Sequence, residues 1–217
     1  MTTPRTGLRE KKKEATRQAL REAALRLALE RGPDNVRVDD IADAAGVSPR
    51  TYNNYFSSRE QAIVAAVTAE REARVAAAVA ARPSTVRLSD AVVGAIVEQY
   101  TDPGSHDPRA LLLITTRPAL RDAFLGTAAG IEDPLTAVIA ERIGDNGQLT
   151  ARVLSASVAA AVRVALGQWV RPATASGLVV PSGSLPELLR TALAPLVPAL
   201  DAAEERLPRF RHSGGEC

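Results

Sequence analysis

Apolar positions recur at three- and four-residue steps along most of the chain, the period of helices packed on one face. Between Arg9 and Glu30, Leu20, Ala23, Ala24 and Leu27 form one such stripe, so this run is expected as a helix, and residues 1–8 before it as loose chain. Gly32-Pro33 ends it, because glycine frees the backbone and proline lacks the amide a continuing helix needs. Val38 to Ala45 reads as a short second helix with Val38, Ile41, Ala42 and Ala45 inward and Asp39 and Asp40 in its first turn, where carboxylates suit the free amides. Gly46 stops it. Ser48 can cap a third helix, with Pro49 in its first turn, running to about Phe56. Ser57 or Ser58 caps a fourth, from Arg59 to about Ala81, broken by Arg82-Pro83-Ser84.

Beyond residue 84 the stripes are broader. Helices are expected over 86–100, 109–116, 119–129, 134–143 and 151–170, with a turn-rich break at 102–108 and a loop at 173–184. A last helix runs from Leu185 to about Leu207, bent or cut short by Pro195 and Pro198. Every segment reads as helix or break, so the chain is expected to be all-α. The expected plan is a three-helix N-terminal domain over 9–58, a larger helical domain over 59–207 that begins with a linking helix (59–81), and a disordered tail over 208–217.

Composition agrees with this plan. Of the 217 residues 46% are hydrophobic but only 3% aromatic, and alanine and leucine are strong helix formers. The net charge of +2 hides an uneven distribution: Arg5, Arg9, Lys11, Lys12, Lys13, Arg17, Arg21, Arg26 and Arg31 face only Glu10, Glu14, Glu22 and Glu30 in the first helix region. Arg9, Lys13, Arg17 and Arg21 form a row at four-residue steps. A locally basic face attracts a polyanion whatever the total charge, although a merely solvated helix face has the same composition. The single cysteine, Cys217, permits no intrachain disulfide, so a reducing cytoplasm is the simplest compartment. No apolar core follows the charged start, as a signal peptide would require. The apolar stretches read as shorter than a membrane span and interrupted by arginine, so no membrane is expected.

Chemistry of the catalytic kind has little support. His106 and His212 are the only histidines and are not paired for a metal, and no nucleophile elbow or glycine-rich phosphate loop occurs. No cofactor, no metal site and no enzymatic activity are expected. The polar load on the third helix is the informative feature. Two short helices joined by a turn with Gly46 are a helix-turn-helix candidate, though a purely structural hairpin could meet the same packing needs. On the third helix Tyr52 and Phe56 share one face, and Pro49, Arg50, Asn53 and Asn54 fall mostly on the other. A structural helix of two turns does not need these outward. A helix laid in a major groove does, because Arg pairs with guanine and Asn with adenine edges. Thr51, Tyr55 and the helix N-terminal amides suit flanking phosphates, Ser48 at the helix start counts among the DNA-facing residues, and Lys11, Lys13, Arg17 and Arg59 add charge against the backbone. One bidentate contact discriminates by about 1–3 kcal/mol, and one helix offers about two. That is too few for a useful operator, so two copies reading an inverted repeat are expected.

The stretch VDDIADAAGVSPRTYNNYFSSREQAI resembles the DNA-binding domain of the TetR family of transcriptional regulators. It carries Ile41-Ala42, Ala45-Gly46-Val47-Ser48, Thr51, Tyr55-Phe56 and Arg59-Glu60 in the family's order. The resemblance covers about residues 14–63. It departs at Arg37, where the family usually has a capping Thr, and at Asn53, where it often has Tyr. The resemblance implies a ligand-responsive regulator, most simply a repressor: a homodimer on a palindromic double-stranded DNA operator, released when a small molecule in the C-terminal part spreads the two heads. The residues facing DNA would then be Arg50, Thr51, Asn53, Asn54 and Tyr55, with Arg59 at a phosphate. Its dimer seam implies Leu154, Val158, Ala161 and Ala165 on the strongly apolar 151–170 helix, with Leu185, Leu188, Leu189, Ala192, Leu193 and Leu196 on the last. The cavity would be lined by Ile96, Val97, Tyr100, Leu112, Leu113, Phe124, Leu135, Ile139, Val162 and Leu166. That lining suits an apolar effector, with Arg117, Arg121 or Arg163 placed to meet an anionic head. Two alternatives keep the fold: a dimeric protein-binding module without a specific operator, and an activator of the same architecture.

Overall fold

The computed structural model describes residues 4–68, 71–101, 108–146, 148–171 and 184–205, with the side chains of 4–7, 10 and 108 excepted. All regular structure among these residues is helical: α1 (Pro4–Arg31), α2 (Val38–Ala44), α3 (Pro49–Asn53), α4 (Arg59–Thr68), α5 (Arg71–Ala80), α6 (Leu88–Thr101), α7 (Pro108–Thr116), α8 (Pro118–Gly126), α9 (Glu132–Ile143), α10 (Leu149–Trp169), α11 (Leu185–Leu193) and α12 (Val197–Glu205). Short 3-10 turns span Pro33–Asn35, Thr127–Ile131 and Ala194–Leu196. The all-α expectation holds.

Several boundaries differ. Helix α1 starts at Pro4, not at Arg9: proline is well tolerated in a first turn, and the single Gly7 does not interrupt the helix. Helix α3 ends at Asn53, short of Phe56. The expected 59–81 helix is described as α4 and α5, with residues 69–70 outside the described set. The last helix is split: Pro195 lies in the 3-10 turn and Pro198 opens α12, where its missing amide costs no helical hydrogen bond. Nearly all of the expected loop at 173–184 and of the expected break at 102–108, and the tail, lie outside the described residues.

Two compact units divide the chain, and neither is contiguous in sequence. One comprises residues 1–69, 103–127 and 170–182, with α4 packed on α1 and α8, and α7 on α8. Its core contains Leu20, Ala24, Ile41, Tyr52, Ile63, Ile114 and Leu120, each at most 1% exposed. The other comprises 70–102, 128–169 and 183–217, built on α10 against α9 and α11, and on α6 against α5, α11 and α12. Ile96, Leu135, Ile139, Val162, Leu166 and Leu189 fill its centre. Glu204 ties this unit together: it accepts from the Leu88 amide (2.8 Å) and from Arg142 Nε (2.8 Å), and Arg142 also donates to the Val86 carbonyl.

The expectation about apolar length needs correction. Pro118–Ile143 and Leu149–Trp169, with mean hydropathies of 1.2 and 1.5, are long and apolar enough to cross a membrane by length and composition alone. Alanine raises hydropathy over runs that single arginines do not interrupt enough. Helix α10 nevertheless buries Ala151, Leu154, Ser155, Val158, Ala159, Val162, Ala165 and Leu166 inside the protein, as a core helix does.

Candidate nucleic-acid interface

The turn between α2 and α3 is built by backbone geometry. The Gly46 amide donates to the Asp43 carbonyl and the Val47 amide to that of Ala42, both at 3.0 Å, which closes α2 in a Schellman pattern. Gly46 sits at φ 69°, and an added Cβ would meet nothing within 4 Å. Glycine is therefore required for its left-handed backbone and not for space. Arg37 caps α2 without its side chain; the Asp40 carboxylate reaches back to the Arg37 amide at 2.9 Å instead. The departure at Arg37 is thus compensated by the aspartate three residues on.

Ser48 caps α3 as expected: its Oγ accepts from the Thr51 amide at 3.2 Å and lies 2.9 Å from the Thr51 hydroxyl. Tyr52 and Phe56 anchor the segment from below, 0% and 2% exposed, with ring centroids 5.8 Å apart. The Tyr52 hydroxyl donates to the Ser58 carbonyl at 2.8 Å. Burial, with a smaller contribution from the Glu60 charge, pushes the Tyr52 pKa up to about 12. With this face locked, Pro49, Arg50, Asn53 and Asn54 are left exposed, and Thr51 and Tyr55 half-buried. Ser48 is exposed at the helix start.

The basic residues divide. Lys13 is exposed on α1. Arg17 is exposed too, with its guanidinium 5.7 Å above the Phe56 ring, so it stands beside the end of the α3 segment. Arg21 is tied to Glu14 at 3.1 Å. Arg59 is engaged in the fold: Nη1 donates to the Val36 (3.0 Å) and Asp34 (3.2 Å) carbonyls and Nε to Glu60 (2.7 Å). Burial alone would raise the Glu60 pKa. The Arg59 hydrogen bond, its own amide, the Arg59 charge and the Ser58 hydroxyl outweigh it and hold the carboxyl low. The Asp40 and Glu60 contacts are local, whereas the hold of Arg59 on the 34 and 36 carbonyls spans more than twenty residues and has no signature in residue spacing.

The expected pocket residues fall in both units. Ile96, Val97, Tyr100, Leu135, Ile139, Val162 and Leu166 are buried in one, Phe124 in the other. Leu112 is 62% exposed and Leu113 half-buried, because Ala110 and Ile114 take the inward positions of α7. Three consecutive leucines do not reveal which faces inward. Arg117 is exposed and paired with Asp34 at 3.1 Å, and Arg163 is exposed on α10. A groove of about 720 Å³ lies along α1, lined by Glu22, Leu25, Arg26, Leu29 and Arg109 among others, and by none of the expected pocket residues. Of the expected seam, Leu154, Val158, Ala165, Leu189 and Leu193 are buried within their own unit, where α10 packs on α11. Ala161, Leu185, Leu188, Ala192 and Leu196 are half-buried. The outward face of α10 instead exposes Leu149 (73%), Val153 (59%) and Val164 (66%).

Comparison with known proteins decides the family. Residues 20–66 match the family described as bacterial regulatory proteins, tetR family, and residues 85–201 match the MftR C-terminal domain, itself more than half of the chain. The chain belongs to the TetR family. It is also similar to the HTH-type transcriptional regulator TcmR of Streptomyces glaucescens, 31% identical over 147 residues, or 64% of this chain and 65% of TcmR. The chain therefore spans just under two thirds of that relative's length. Helices α2 and α3 fall inside the stretch that matches the bacterial regulatory-protein family and form a helix-turn-helix.

Proposed function

We propose that this regulator is a homodimeric repressor that reads an inverted-repeat operator and is released by a largely apolar small molecule. The observation that carries the reading is the split of α3 and the residues after it. Tyr52 and Phe56 are sealed into the core, while Arg50, Asn53 and Asn54 stand in solvent with no structural task. Arg50 and the two asparagines read base edges; Ser48, Pro49, Thr51 and Tyr55 set the helix against phosphates; Lys13 and Arg17 add charge from α1. Arg59 acts here through the fold, holding the 34–36 turn against α4, more than through a phosphate.

The dimer forms over α10 and α11. Exposed Leu149, Val153 and Val164, continued by Ala161, Leu185, Leu188 and Ala192, present an apolar strip that a second copy would cover. The effector site lies in the C-terminal part, among residues such as Ile96, Val97 and Tyr100. A cytoplasmic location follows from DNA as partner.

Selection of bound sequences from a random duplex pool, at two salt concentrations, tests the reading. A recovered inverted repeat supports the dimeric regulator of a specific operator. Recovery of no motif, with binding that vanishes at moderate salt, would leave only the basic face of α1 acting and favour the protein-binding module.

A further inference from the structure

Arg71 opens α5 and is half-buried, with its Nε and Nη1 sealed from solvent and without a hydrogen-bond partner. Its guanidinium lies 4.7 Å above the ring of Tyr100 on α6, which is itself 8% exposed. Burial, partly offset by the Tyr100 and Glu72 charges and reinforced by Arg74, lowers the Arg71 pKa from its usual range. Among the described residues no carboxylate is hydrogen-bonded to these nitrogens. Glu72 is turned toward Gly130, where an added Cβ would stand 2.8 Å from Oε1. Arg74 is occupied with Gln99 at 3.0 Å. Arg82, just past the end of α5, pairs with Glu98 on α6. A buried cation without a counter-ion is expensive, because desolvation is not repaid by any acceptor. The face of Tyr100 offers only a partial compensation.

We propose that Arg71, stacked on Tyr100, is the recognition point for a carboxylate group on the effector. The proposal rests on the reading of the C-terminal part as an effector-binding domain and adds the ligand's chemical class to it. Each of the two planar forks of a guanidinium includes one of the unpaired nitrogens, so a carboxylate on either fork satisfies an orphan donor while neutralising the charge. The apolar side chains buried in the same unit, Ile96 and Val97 on α6 among them, suit a hydrocarbon or aromatic body behind that head. Neither Arg117 nor Arg163 has this character, since both are exposed.

The test uses the full chain and three matched pairs: benzoate with benzamide, 1-naphthoate with 1-naphthamide, and decanoate with decanamide. Binding is read by calorimetry and by the shift in thermal unfolding. At least one carboxylate is expected to bind about tenfold or more tightly than its amide. Arg71→Met should abolish that preference while leaving affinity for the amides similar, and Arg71→Lys should retain part of it. No preference in any pair for the wild type overturns the proposal without recourse to a variant. A preference that survives Arg71→Met overturns the assignment to Arg71. Operator binding is measured in parallel on the same samples. Loss of the regulator reading would appear there as absence of a selected site, whether or not carboxylates are preferred.

Discussion

The α3 segment and α10 are opposites in what they bury and what they leave in water. Residues 48–56 hide two aromatic rings and show arginine and asparagine; α10 hides alanine, valine and leucine and still shows Leu149, Val153 and Val164. The first is a polar surface stiffened from beneath, suited to a hydrated, charged partner whose recognition depends on hydrogen-bond geometry. The second is an apolar surface left over after its own core is complete, suited to another protein surface. A short helix can afford few buried residues, so each anchor counts. A helix of 21 residues has enough circumference for a core face and a second apolar face.

The strongest way to break this contrast is a charge on α10. Val164→Glu should leave the protomer folded, because the side chain is exposed, but convert the dimer to monomers in sedimentation. Operator affinity should then fall by about a hundredfold or more as two-site binding is lost. An unchanged sedimentation coefficient would remove α10 from the interface. On the other side, Arg50→Ala should relax preference at one base pair of each half-site, a loss of about 1–3 kcal/mol per contact, read by repeating the sequence selection. If site preference survived, the reading face would be misassigned.

The remaining tests concern the scaffold beneath α3. Gly46→Ala places a Cβ on a left-handed residue and should cost about 1–2 kcal/mol in chemical unfolding, though no atom blocks it. Tyr52→Phe should cost about 1 kcal/mol at neutral pH, leaving the Ser58 carbonyl without its donor. Tyr52 also predicts a pH effect. Its folded pKa, near 12, exceeds the unfolded value near 10, so the folded state holds the proton longer. The stability from the neutral phenol is complete below about pH 10 and is lost as pH rises toward 12. Tyr52→Phe should flatten part of that decline in a pH series of unfolding curves. Tyr100, also raised to about 12 by burial, contributes in the same direction. The smallest effect is expected for Lys13→Ala: weaker binding to all sequences alike and a salt slope lower by about one.

The periodicity of Leu20, Ala24 and Leu27, the Ser48 cap with Pro49, and the Tyr52–Phe56 spacing were enough to place the helix-turn-helix before any coordinates. Local chemistry determines these features: a cap, a proline and an i,i+4 pair act within a few residues. The outward turn of Leu112 is not legible in this way, because three adjacent leucines leave the inward direction open until α8 packs against α7. The same reasoning assigned Arg59 to a phosphate, while the structure turns that side chain onto the 34 and 36 carbonyls.

The sequence by itself determined an all-helical chain, the place of the turn at Gly46 and the polar face of α3, because these depend on backbone conformation and on neighbours one helical turn away. Long-range packing decides that α7 and α8 lie with the N-terminal helices, that half of the expected seam lies within its own core, and that Arg71 sits over Tyr100 with two sealed, unpartnered nitrogens. Those outcomes depend on which apolar faces meet across tens of residues, and hydrophobic contact is non-directional, so a local pattern does not name its partner.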